Sequence, residues 1–215
     1  MDTKKISIGY GGWLQYYEPG IEQQTKNWLT TTFLNYRIDN VNHQVRSAYY
    51  IYKALQLLKQ MGKEEMVKLH LWGNIDSRNQ TLSKKMNIDS MVEIGGKLSK
   101  KDNLEKLNSM DILFLPLELG KNDCRSLFIP GKVYEYLFLE KPILAVGGDS
   151  DAKNLILDSG LGFHFDPENP EDIVKFLIKT FNDRSNLRLE PNKELIASKS
   201  FDVLTGELVT VFNSL

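Results

Sequence analysis

The segment FIPGKVYEYLFLEKPILAV, residues 128–146, sets Pro130, Gly131, Lys132 and Glu135 at the start of a helical pattern, ahead of a second proline and an apolar run. Each residue suits a separate task at an anion site. Proline fixes one backbone angle and lacks an amide that the first helical turn would leave unsatisfied. Glycine puts no side chain between a ligand and the backbone. The amides of residues 131–133 would face an anion, Lys132 would add charge, and Glu135, one turn deeper, would accept from hydroxyls. Phosphate above and diol below describe a nucleotide. The same residues equally describe an ordinary, well-started helix with Lys132 and Glu135 in solvent.

Other chemistries find less support. His43, His70 and His164 are scattered without metal-ligand spacing, and the last two sit in strand-like runs where packed histidines are ordinary. There is no G-x-S-x-G nucleophile elbow and no phosphate loop ending in Gly-Lys-Ser or Gly-Lys-Thr. Gly9, Gly11 and Gly12 suggest a dinucleotide fingerprint, but Leu14 stands where its third glycine belongs.

The elements that would position these residues are legible from period and punctuation. Runs at 67–72, 91–94, 112–115, 143–146 and 162–165 predict buried strands, and 77–86, 99–109, 131–139, 151–159 and 170–181 predict helices between them. Such alternation predicts a Rossmann-like, doubly wound parallel α/β sheet. Ser99 with Asp102 forms a capping pattern, Pro170 opens a helix and Gly160 closes one. Val45, Ala48, Ile51, Ala54, Leu55, Leu58 and Met61 form a stripe ended by Gly62, which predicts the longest helix. KISIGYGGWL predicts a strand running into glycines, followed by an insertion at about 15–43 with a helix at 22–29 and a strand at 32–38. A tail at about 192–215 predicts two short helices joined near Ser200.

Composition narrows the partners. The 215 residues, 41% of them hydrophobic, suffice for one domain spanning 1–215. With 27 basic and 28 acidic side chains there is no global field for nucleic acid. No apolar run reaches the roughly 18 residues of a membrane span, so none is expected. A lone cysteine, Cys124, suits a reducing compartment such as the cytoplasm.

IPGKVYEYLFLEKPILAV resembles the donor-binding segment of retaining group 1, family 4-like glycosyltransferases of the two-domain GT-B architecture. LWGNID, VEIGGKLSKKDNLEKLNSMDILFLPLE and GLGFHFDPENPEDIVKFL follow that family's carboxyl-terminal domain in order and spacing, over roughly residues 46–181. The resemblance implies a single domain, one half of a GT-B enzyme, that binds a nucleotide diphosphate sugar, most simply a UDP- or GDP-sugar, without a required metal or other cofactor. It implies that Glu135 holds the ribose hydroxyls and that Pro130, Gly131, Lys132 and Val133 frame the diphosphate. Lys97 and Leu98 would frame the base, and Gly11 and Gly12 would keep the first loop close to the leaving group. Arg46 would clamp phosphate and, with Lys132, serve catalysis, a task that suits a guanidinium. For Arg46 an ordinary surface arginine remains the competing reading.

One departure stands out. Many of these enzymes carry a second glutamate eight positions before the first, where this chain has Leu127, so Glu118, Asp123 and Arg125 are the candidates for a sugar contact. Asp149-Ser150-Asp151 spells the acid-x-acid triplet of metal-dependent transferases of another fold, but a helix N-cap explains it better. Aromatics from Tyr10 to Tyr36, among them Trp13, Tyr16, Tyr17, Trp28 and Phe33, predict local packing or an interface. The resemblance also implies a missing acceptor-binding domain or partner subunit, through which the protein would be peripheral to a membrane, and a role in polysaccharide synthesis. The alternative from another class is a noncatalytic sugar-nucleotide-binding regulatory module; a dehydrogenase ranks last.

Overall fold

A computed structural model of the protein describes residues 5–20, 41–42, 46–120 and 125–214. The helix expected at 22–29, the strand at 32–38, and His43, Val45, Trp28, Phe33, Asp123 and Cys124 lie outside these residues.

Six parallel strands form the main sheet: β1 Ile6–Leu14, β2 Val67–Ile75, β3 Val92–Gly95, β4 Ile112–Pro116, β5 Ile143–Val146 and β6 Gly162–Phe165. Their order is β3-β2-β1-β4-β5-β6, so the chain winds outward from β1 in both directions and the fold is Rossmann-like. In register, Ile6 to Leu14 face Val67 to Ile75, and Ile8 faces Ile112 on the other side.

The helices among the described residues are α1 Tyr49–Gln60, α2 Arg78–Lys85, α3 Lys100–Asn108, α4 Gly131–Leu139, α5 Asp151–Asp158, α6 Pro170–Asn182, α7 Lys193–Ser198 and α8 Phe201–Asn213. Strand residues alternate between two cores, as the pleat requires. Ile112 and Phe114 point to the face covered by α1, α2 and α6, whereas Leu113 and Leu115 point to the face covered by α3, α4 and α5. Among the described residues no helix is long and apolar enough to cross a membrane.

Local chemistry accounts for the ends. Ser99 Oγ accepts from the Asp102 amide and donates to its carboxylate, so the expected cap is present. Ser150 caps α5 by accepting from the Lys153 amide, which bears out the N-cap reading of the acid-x-acid triplet. Gly160 closes α5 at φ +69° and Gly62 follows α1 at φ +68°, both in the left-handed region open to glycine.

Three expectations need correction. α1 has 12 residues while α6 and α8 have 13, so α1 is not the longest helix. Its stripe is buried at Ala48, Ile51, Ala54, Leu55 and Leu58, but Met61 lies beyond the last turn and is exposed. Gly9, Gly11 and Gly12 do not follow β1 but lie within it. Their missing side chains leave room for neighbours rather than breaking the strand: a Cβ on Gly11 would stand 2.0 Å from Asn103 Oδ1 and 2.5 Å from Trp72 Nε1.

Candidate functional site

The sheet changes direction between β1 and β4, where connections leave toward opposite edges and a crevice opens outside the strand ends. In this chain the crevice is a cleft of about 240 Å³ lined by Tyr10, Trp13, Gln15, Arg46 and Pro116. α4 begins beside it.

Pro130 has φ −61° and ψ 140°, extended values that make it the N-cap of α4, so Gly131 is the first helical residue. A side chain on Gly131 would meet nothing within 4 Å. The Val133 amide already donates to Pro130 O at 2.9 Å, and the Val133 side chain is wholly buried. Two first-turn amides, those of Gly131 and Lys132, therefore remain without an acceptor among the described residues, rather than the three expected.

Lys132 reaches over the end of β1. Its ammonium donates to Gly11 O, lies 3.8 Å from Glu135 Oε2 and sits 5.2 Å from the centre of the Tyr10 ring. That path exists because residue 12 is glycine: a Cβ there would lie 2.4 Å from Lys132 Cε and Nζ, and φ is +149°. Burial pushes the Lys132 pKa down and the nearby Arg46 charge adds to this, while Glu135 partly opposes it. Burial likewise pushes the Tyr10 hydroxyl up; it donates to Trp13 O at 2.6 Å.

Glu135 is half-buried, and its Oε2 is shielded from solvent without a hydrogen-bond partner among the described residues. A shielded carboxylate oxygen with only a distant ammonium for company is a costly arrangement, one that a hydroxyl donor would relieve.

Arg46 forms the opposite wall. Its Nη1 lies 3.5 Å from Glu118 Oε1, and its guanidinium lies 5.1 Å from the centre of the Phe128 ring. Glu118, a candidate for the sugar contact, is 3% exposed and engaged by Arg46 and Ser126, so it does not face an open cleft. Arg125, another candidate, pairs with Asp151.

Lys97 and Leu98 stand apart from this cluster. They are exposed in the loop after β3, two strands away from β1, at the same carboxyl edge of the sheet. Leu127 is 76% exposed near α4. Asp149 pairs with Lys153 at 3.2 Å, and among the described residues no three metal-binding side chains come together. Sequence reasoning missed Tyr10, Ser126 and Phe128. An apolar strand hides a tyrosine's contact with a lysine 122 positions later, and only the fold brings Arg46 over Phe128.

No protein-family model matches the sequence, and no curated protein matches it either. Solved structures do resemble it in fold. One is that of Anabaena Alr3699/HepE in complex with UDP and glucose, at a TM-score of 0.62 and 13% identity over 99% of this chain and 49% of that one. Another is a glycosyltransferase from Rickettsia africae ESF-5, at 0.59 and 13% over 98% and 48%. A third is WaaG, a glycosyltransferase involved in lipopolysaccharide biosynthesis, at 0.55 and 12% over 95% and 44%. At these identities the likeness is one of fold. The chain spans about half the length of these proteins or less.

Proposed function

We propose that this chain is the nucleotide-sugar-binding half of a retaining glycosyltransferase of GT-B architecture, completed by an acceptor-binding half or partner subunit. The observation that carries the reading is the shielded Oε2 of Glu135, without a hydrogen-bond partner among the described residues, one turn below an open helix start and 3.8 Å from the Lys132 ammonium. A ribose diol would satisfy the carboxylate while the diphosphate met the Gly131 and Lys132 amides, the Lys132 ammonium and Arg46. Pro130 and Val133 then serve as the frame of that turn, with Gly11 and Gly12 giving Lys132 its path.

As the sugar bond breaks, negative charge gathers on the diphosphate, and these fixed donors would stabilise it as it forms. Lys97 and Leu98, at the same edge of the sheet, are assigned to the base. No metal enters this scheme: Asp149 and Asp151 are already paired with Lys153 and Arg125. Uridine is the first base to test because Anabaena HepE is solved with UDP. Surface polysaccharide is the first product class to test because WaaG acts in lipopolysaccharide synthesis.

The test is calorimetric titration of the chain with UDP, GDP, dTDP and ADP, alongside Glu135→Ala and Lys132→Ala. Charged hydrogen bonds contribute about 1.5–3 kcal/mol each, so either substitution should weaken the preferred nucleotide about 10–100-fold. Affinity untouched by both substitutions would remove this site from consideration. Because water exclusion and acceptor placement need a second half, transfer by this chain alone should be negligible, and robust acceptor-dependent product would overturn that expectation.

A further inference from the structure

Glu118 is an expensive residue to bury. At 3% exposure, with no apolar role, it owes its tolerance to the donors that meet it. Among the described residues, two segments that the fold brings together supply such donors. Oε1 faces Arg46 Nη1 at 3.5 Å, and Oε2 accepts from Ser126 Oγ at 2.9 Å. Ser126, 2% exposed, accepts in turn from the Phe128 amide at 3.3 Å, and the Phe128 ring lies under the Arg46 guanidinium. The contacts close into a ring: Glu118, Ser126, Phe128, Arg46.

The ring itself is anchored. Gly148 N donates to Glu118 O, and the Ser126 backbone is bonded to Asp149 O and Asp151 N. One end of the ring carries Arg46 at the cleft; the other lies four residues before Pro130.

We propose that Glu118 is a positioning residue that holds the phosphate-binding face of the cleft, setting Arg46 from one edge and the segment leading into α4 from the other. The proposal rests on the nucleotide-sugar reading of the same cleft. Arg46 is gripped by one edge and one face, which leaves most of its five donors for a diphosphate. Glu118 touches no ligand in this arrangement.

The sign of a single substitution decides the matter. Through charge alone, Glu118→Gln would tighten anion binding, because a negative group beside the site is lost. Through positioning it must weaken it. The experiment titrates the full chain and its Glu118→Gln, Ser126→Ala, Arg46→Met and Glu118→Gln/Arg46→Met variants with whichever of UDP, GDP, dTDP or ADP the parent binds. Each variant is also titrated with the corresponding nucleoside, and thermal midpoints confirm folding.

Glu118→Gln should weaken the diphosphate about tenfold and leave the nucleoside unchanged, with Ser126→Ala acting in the same direction. The double variant should bind no worse than Arg46→Met alone. Unchanged or tighter diphosphate binding by Glu118→Gln, or equal losses for diphosphate and nucleoside, would overturn the proposal while leaving the nucleotide site standing. A parent chain that binds none of the four diphosphates would overturn the site itself, and this proposal with it.

Discussion

Lys132 reaches over the end of β1 in the candidate site, and its surroundings make its behaviour measurable. Burial lowers its pKa from 10.5, so the ammonium is lost at a lower pH than from a free lysine. Affinity for a nucleoside diphosphate should therefore begin to fall below pH 10.5, and this alkaline arm should vanish in Lys132→Met when binding is followed across pH. Gly12 is its enabling neighbour. Gly12→Ala would force the lysine tip aside and strain a backbone at φ +149°, so a stability loss of about 1–3 kcal/mol in urea unfolding should accompany weakened diphosphate binding. An unaltered diphosphate affinity would mean that Lys132 does not need that path.

Among the elements, α5 shows how a motif can be told from its look-alike. Asp149-Ser150-Asp151 serves as a helix start, with Ser150 buried and accepting from the Lys153 amide. Ser150→Ala should cost about 1 kcal/mol in chemical denaturation, as loss of an N-cap does, with ligand affinity intact. The helix start was legible because serine before an acidic turn announces its own chemistry. α4, β5 and β6 were likewise legible to the residue, since proline or glycine marks where each begins. β1 was not. Its glycines read locally as a break, whereas their purpose is set by Met110, Trp72, Asn103 and Lys132, all distant in the chain. The burial of Glu118 was hidden for the same reason: a glutamate in a polar loop segment reads as exposed, and only tertiary structure supplies Arg46 and Ser126 beside it. Pro130, Gly131, Lys132 and Glu135 needed no such help to be placed side by side, because an N-cap and the first turns of one helix hold them all.

At the scale of the whole molecule, buried phenols couple alkaline pH to unfolding. Tyr10, Tyr52 and Tyr136 are almost fully enclosed, and burial raises each above the ordinary value of 10.0. The unfolded chain would lose those protons first, so the stability they contribute is complete below pH 10 and declines as pH rises past it. The phenolate absorbance that these three side chains contribute, isolated by comparison with their Tyr→Phe variants, should rise together with loss of circular dichroism in an alkaline titration; their phenolates forming well ahead of unfolding would contradict it. The sheet order has a consequence for biosynthesis. β1 lies at the centre, yet its partners arrive late: Ile8 pairs with Leu69 on one side and Ile112 on the other. A ribosome must therefore complete β4 before the middle strand has both neighbours, and until then a nascent chain carries an open strand edge. Stalled chains ending between β2 and β4 should be cut readily by protease and held by chaperones, and those extending past β5 should resist.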